Sequence, residues 1–116
     1  EPLAAAVCAL VALAAPVGRR EAFARHLAVL ELDVADPDFR AVAAEHHAAA
    51  RAALAGLLAA AVEDGTLLPA ARPDRLARAL HNAYQGALIS WAVSGEGSLE
   101  AALRDDLEAV LEPWRA

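Results

Sequence analysis

The sequence predicts an all-α domain of five helices, within a range of four to six, and three observations carry that reading. Hydrophobic residues make up 59% of the chain but aromatics only 4%, because Ala alone supplies roughly three residues in ten. Ala is the best helix former and loses no side-chain entropy in a helix. No stretch shows the apolar/polar alternation of β-branched and aromatic residues that marks a half-buried strand. Pro and Gly instead divide the chain into segments of helical length joined by short turns. A length of 116 residues suits one domain with one core, so residues 1–116 are read as a single unit.

The first segment, Leu3 to Ala15, is apolar throughout and is stopped by Pro16-Val17-Gly18. Its roughly thirteen residues fall short of the twenty or so that span a bilayer as a helix. It opens on Glu1-Pro2, without the basic residues of a signal peptide. It is expected to be a buried core helix with no membrane role, uncapped and uncovered at its start, as in a fragment. The second segment, roughly Arg19 to Val34, carries Phe23, Leu27, Leu30 and Val34 at helical spacing, with Glu21, Arg25 and Asp33 off that stripe.

Asp36-Pro37-Asp38 then writes a helix start: Asp36 as N-cap, Pro37 at the first helical position, and Asp38 favourable to the helix dipole. This third helix should reach about Asp64, with Gly65 as its C-terminal cap. Its apolar line is read through Phe39, Val42 or Ala43, His46, Ala50, Leu54, Leu57 and Ala61. Gly56 inside it costs about 1 kcal/mol relative to Ala. Pro73-Asp74 opens a fourth helix ending near Ser94-Gly95. Two apolar lines wind along it, one through Leu76, Leu80, Ala83 and Ala87, the other through Ala77, His81, Tyr84, Leu88 and Trp91, so it should be buried from two sides. Ser98 caps a fifth helix whose stripe is Leu99, Leu103, Leu107, Val110 and Trp114, opposite Arg104, Asp105 and Glu108.

The net charge is −6, and all ten basic residues are Arg, scattered except for the pair Arg19-Arg20. Phosphate neutralisation needs a basic face, so this chain is not read as binding nucleic acid itself. The single Cys8 excludes an internal disulfide and fits a reducing, cytoplasmic setting.

Three stretches together resemble the C-terminal domain of TetR-family transcriptional regulators. They are Asp36-Pro37-Asp38-Phe39-Arg40-Ala41 with Glu45-His46-His47 and Arg51; Glu63-Asp64-Gly65-Thr66-Leu67 with Pro73-Asp74-Arg75-Leu76-Ala77; and Tyr84-Gln85-Gly86-Ala87-Leu88-Ile89-Ser90-Trp91 with Ser98-Leu99-Glu100-Ala101-Ala102-Leu103, ending in Pro113-Trp114-Arg115. Their order and spacing carry the resemblance, which covers nearly the whole chain. It departs from the family in having no helix-turn-helix head. The resemblance implies a repressor's effector-binding and dimerisation domain, with DNA contacted only through that absent head. It also implies that the last two helices pair with their copies in a four-helix bundle across a homodimer.

Two features of the residues fit such pairing. Ala79, Ala83, Gly86, Ala87 and Ser90 are small and would admit a close partner helix, and the Leu99, Leu103, Leu107, Val110 stripe could complete the bundle. The fourth helix has one apolar face more than a single core requires, and a two-fold interface is the common use of such a surplus. Stable interfaces bury roughly 1,200 to 2,000 Å².

A small, largely hydrophobic effector would need an apolar pocket with a few convergent polar groups. Candidates are Cys8 on the first helix, His46 and His47 on the third, and His81, Tyr84, Gln85, Leu88 and Trp91 on the fourth. His46 lies on the apolar line and should point inward or toward an interface, whereas His47 lies about 100° away, so one of the two should face solvent. The Ala-rich first and third helices leave room, so the cavity is expected between the first, third and fourth. No nucleophile with base and orienter, phosphate loop or metal pattern is present, so neither catalysis nor a cofactor is expected. A metal site from His46, His47 and His26 or His81 is weak because adjacent histidines on a helix diverge. A ligand-free helical interaction module is the alternative with the same fold.

Overall fold

A computed structural model describes residues 1–15, 20–95 and 97–116, with side chains at all of these except 20, 29, 30 and 32. The stop at Pro16-Val17-Gly18, the pair Arg19-Arg20 and the stripe position Leu30 lie outside this description. The chain forms α1 (Pro2–Ala14), α2 (Arg20–Ala35), α3 (Pro37–Glu63), α4 (Pro73–Ser94) and α5 (Leu99–Leu111), followed by a 3₁₀ turn at Glu112–Trp114. The fold is all-α, with no strand among the described residues.

Local chemistry sets the ends. Asp36 accepts from the amides of Asp38 at 2.9 Å and Phe39 at 3.4 Å, and Ser98 Oγ accepts from Ala101 at 3.1 Å. α1 is not uncapped: the Glu1 carboxylate accepts from the amides of Leu3 at 2.8 Å and Ala4 at 3.1 Å. α3 ends in a Schellman turn, with Gly65 at φ +81°, Thr66 N–H donating to Ala61 O at 2.9 Å and Gly65 N–H to Val62 O at 3.2 Å. The loop beyond is tied to the chain's last residues: Leu68 N–H donates to Trp114 O at 2.7 Å, and Ala116 N–H to Thr66 O at 3.0 Å.

α1, α3, α4 and α5 pack in a closed circuit, α1 on α3 and α5, α4 on α3 and α5, while α2 lies principally on α3. Leu3, Leu58, Leu67, Leu80, Leu103, Leu107 and Leu111 are sealed inside. Each removes a branched side chain from water at about 1.5–3 kcal/mol relative to exposure. Among the described residues no helix is long and apolar enough to cross a membrane.

Two faces differ from expectation, and two that were assigned to a partner are covered within the chain. On α3 the buried positions are Leu54, Leu58 and Ala61, so the inward line runs through Leu58 rather than Leu57. On α2, Val34 is exposed and Asp33 is partly buried, so the stripe is turned away from Val34. On α4 both apolar lines are covered within one chain, Leu76, Ala77, Leu80, His81, Tyr84, Ala87, Leu88 and Trp91 all being buried. The surplus face that suggested a partner is therefore used up by α3 and α5. The α5 stripe is likewise spent inside: Leu99, Leu103 and Leu107 are buried and Val110 is half-buried against the same core. Of the small residues assigned to a partner, Ala87 is buried and Ala83 half-buried, leaving Ala79, Gly86 and Ser90 exposed.

Candidate functional site

A half-open cleft of about 680 Å³ lies where α2, α3 and α4 meet. α4 supplies His81, Tyr84, Gln85 and Leu88, spaced i, i+3, i+4 and i+7 so that one helical face forms a wall. α3 supplies His46, His47 and, one turn on, Ala50, whose short side chain leaves the space unfilled. α2 supplies Phe23, His26, Leu27 and Asp33, and Leu13 closes the end nearest α1. The chain has four histidines, and all four open onto this cleft.

His47 and His81 meet edge to face with ring centroids 5.0 Å apart, and His81 lies over Tyr84 at 6.3 Å. The Gln85 side-chain nitrogen is 3.3 Å from His47 Nε2. An amide nitrogen only donates, so in this arrangement His47 Nε2 is the accepting atom. His81 is 3% exposed, and its Nδ1 is buried without a hydrogen-bond partner. Such an unmet group costs about 1–3 kcal/mol. Burial first, then neighbouring His47 and Arg51, hold the His81 pKa below its ordinary 6.5, so the ring is neutral at pH 7. Burial pushes the Tyr84 hydroxyl upward from its ordinary value. Arg51 donates from Nη2 to Asn82 Oδ1 at 3.3 Å, while its Nε is buried without a partner.

The site is thus an apolar-floored cleft with imidazole and phenol groups along α3 and α4. No family model, curated protein or solved structure matches the chain.

His46, His47, His81, Tyr84, Gln85 and Leu88 are brought together, but the two histidines of α3 exchange parts. His47 is half-buried against His81, and His46 is exposed at the rim. Cys8 is not in the cleft; it is exposed on α1 and lies beside Arg104 of α5. Trp91 is also elsewhere. Its indole N–H donates to Gly97 O at 3.2 Å, and its ring lines a separate groove with Val11, Ala14, Leu99 and Leu103. The cleft lies against α2 rather than along α1, so Phe23 and Leu27 of the predicted stripe are wall residues together with His26 and Asp33, which that stripe left out. The signal was in the sequence: Phe23, His26, Leu27 and Asp33 share one helical face, and a face mixing aromatic, imidazole and carboxylate suits a wet cleft better than a core. Among the described residues no three of His, Cys, Asp and Glu converge to hold a metal ion.

Proposed function

We propose that this chain is the effector-sensing and pairing domain of a TetR-type transcriptional regulator, binding a small, largely apolar molecule in the α2–α3–α4 cleft. DNA contact belongs in this reading to a helix-turn-helix head outside the sequence, and the regulator works as a cytoplasmic repressor. The observation that carries the ligand reading is the convergence of all four histidines on one cleft with apolar walls. Its volume of about 680 Å³ falls within the roughly 300–1,000 Å³ typical of small-molecule sites. The resemblance of turns and helix starts supplies the regulatory role.

Pairing in this reading uses the outer side of α4, where Ala79, Gly86 and Ser90 are exposed beside Ile89 and Val93, the last of them 82% exposed. Small residues admit a close helix, and the exposed Ile and Val give it something to cover. The test is direct. Decanol titrated into the protein should raise the melting temperature, since a ligand bound only by the folded state adds stability. Sedimentation should give a dimer that Val93→Arg dissociates. Absence of a thermal shift with decanol and other alkyl probes would sink the ligand reading, and a 12.0 kDa monomer at micromolar concentration would sink the pairing. A ligand-free interaction module is favoured by one observation, the exposure of Phe39 and Val42 on α3 together with Ile89 and Val93 on α4. It requires a dimer without any alkyl-probe binding.

A further inference from the structure

The walls of the cleft differ in chemistry along its length. On α2 the polar groups are His26 and Asp33; on α3 they are His46 and His47, with Arg51 one turn on and outside the lining; on α4 they are His81, Tyr84 and Gln85; α1 contributes only Leu13. The groups that act electrostatically on His81 are His47 and Arg51, both cationic or able to become so, and Asp33 is not among them. Two nitrogens in this corner, His81 Nδ1 and Arg51 Nε, are buried without partners. Buried polar atoms are nearly always hydrogen-bonded; the guanidinium Nε can only donate and so calls for an acceptor, as does His81 Nδ1 when it carries the ring proton. His47 adds a third group, its Nε2 facing the Gln85 amide nitrogen at 3.3 Å. On protonation both its ring nitrogens become donors, and Gln85 must turn its oxygen to face it. Hydrocarbon surface runs away from this corner along Phe23, Leu27, Leu88 and Ile89.

We propose that the corner formed by His47 and His81 beside Arg51 seats the acidic head of an amphipathic ligand, an organic carboxylate whose hydrocarbon body lies along the α2–α4 walls. This rests on the ligand-sensing reading above and names its ligand class. A carboxylate supplies an acceptor for these nitrogens and a negative charge beside His47, His81 and Arg51; no acid is among the groups that act on His81. The anion favours the imidazolium form, so binding draws a proton onto the histidine pair, and affinity falls as pH rises.

Calorimetric titration with decanoate, decanol and decyltrimethylammonium tests this on the wild-type protein. At pH 6.5 decanoate binds about tenfold more tightly than decanol, the worth of one charge-assisted hydrogen bond. That advantage shrinks by pH 8, and titration in buffers of different ionisation enthalpy shows net proton uptake with decanoate alone. Arg51→Gln and His81→Gln each reduce the preference for decanoate over decanol; the wild-type proton count stands if either variant folds poorly. Equal affinity for decanoate and decanol without proton uptake overturns the acidic-head assignment but leaves the sensing reading intact. Tightest binding of decyltrimethylammonium overturns it in favour of Asp33 as the anchor. No binding of any probe overturns both.

Discussion

Two halves of α3 teach different lessons from nearly the same composition. From Leu54 to Ala61 the helix is sealed into the core, with Leu58 fully buried against the leucines of α1, α4 and α5. From Pro37 to Ala50 not one residue is fully buried, and Phe39 and Val42 stand about half exposed. Both halves are rich in Ala. The difference is what projects between them: where Leu side chains fill the gap the helices seal, and where Ala and His face a partner a cleft remains. The molecule is accordingly a slab of 41 × 35 × 18 Å, about two helix diameters thick, with one edge closed and one open.

The sharpest way to break this contrast is a matched pair of truncations. Leu103→Ala, in the closed region, should cost about 2–5 kcal/mol. Leu27→Ala, at the cleft, should cost less than about 1 kcal/mol because its side chain already meets water. Urea unfolding of both variants measures the difference, and similar losses would mean the open edge is as tightly packed as the closed one. Next in size are two glycines of α4 and its exit. A Cβ at Gly95 would collide with the indole and backbone of Trp91, so Gly95→Ala should destabilise by about 1–3 kcal/mol. A Cβ at Gly86 meets nothing, and Gly86→Ala should stabilise by about 0.5–1 kcal/mol. Opposite signs in thermal melts are the expected result.

The smallest effect is in pH. The folded pKa of His81 lies below 6.5 because burial disfavours its charge, so the unfolded chain binds the proton more readily. Its contribution to stability is full above about pH 6.5 and is lost as pH falls through the lower folded value. Unfolding free energies at pH 7.5 and 5.5 should differ more for the wild type than for His81→Gln. An identical difference in the two proteins would remove His81 as the source.

How much of this was legible in sequence depended on whether one residue type decided it. Asp36, Ser98 and Gly65 each act through their own side chain or backbone, so helix ends were readable and the element order followed. The two lines of α4 were readable because its Leu, Tyr and Trp repeat cleanly. α3 was ambiguous, since Leu54 is followed by Leu at both 57 and 58, spacings of three and four that fit a helix equally well. Choosing Leu57 turned the face by one residue and put His46 in the place that His47 holds. Cys8 sits in an unbroken apolar run with no period from which to tell its face. Trp91 keeps the register of Tyr84, but its N–H reaches past the helix end to Gly97, a contact that periodicity does not encode.

The burial of α4 on both flanks makes it a partition shared by two compartments. Leu80 belongs to the sealed leucine interior, and the next residue, His81, belongs to the cleft wall. Close-packed interiors carry displacement without slack, and a 22-residue helix behaves as a stiff rod over such distances. An occupant that nudges the cleft side of α4 therefore shifts its far side against α5. In the proposed ligand-sensing reading, reciprocity then has repacking of α5 retune the cleft from a distance, through residues that a bound molecule would never touch.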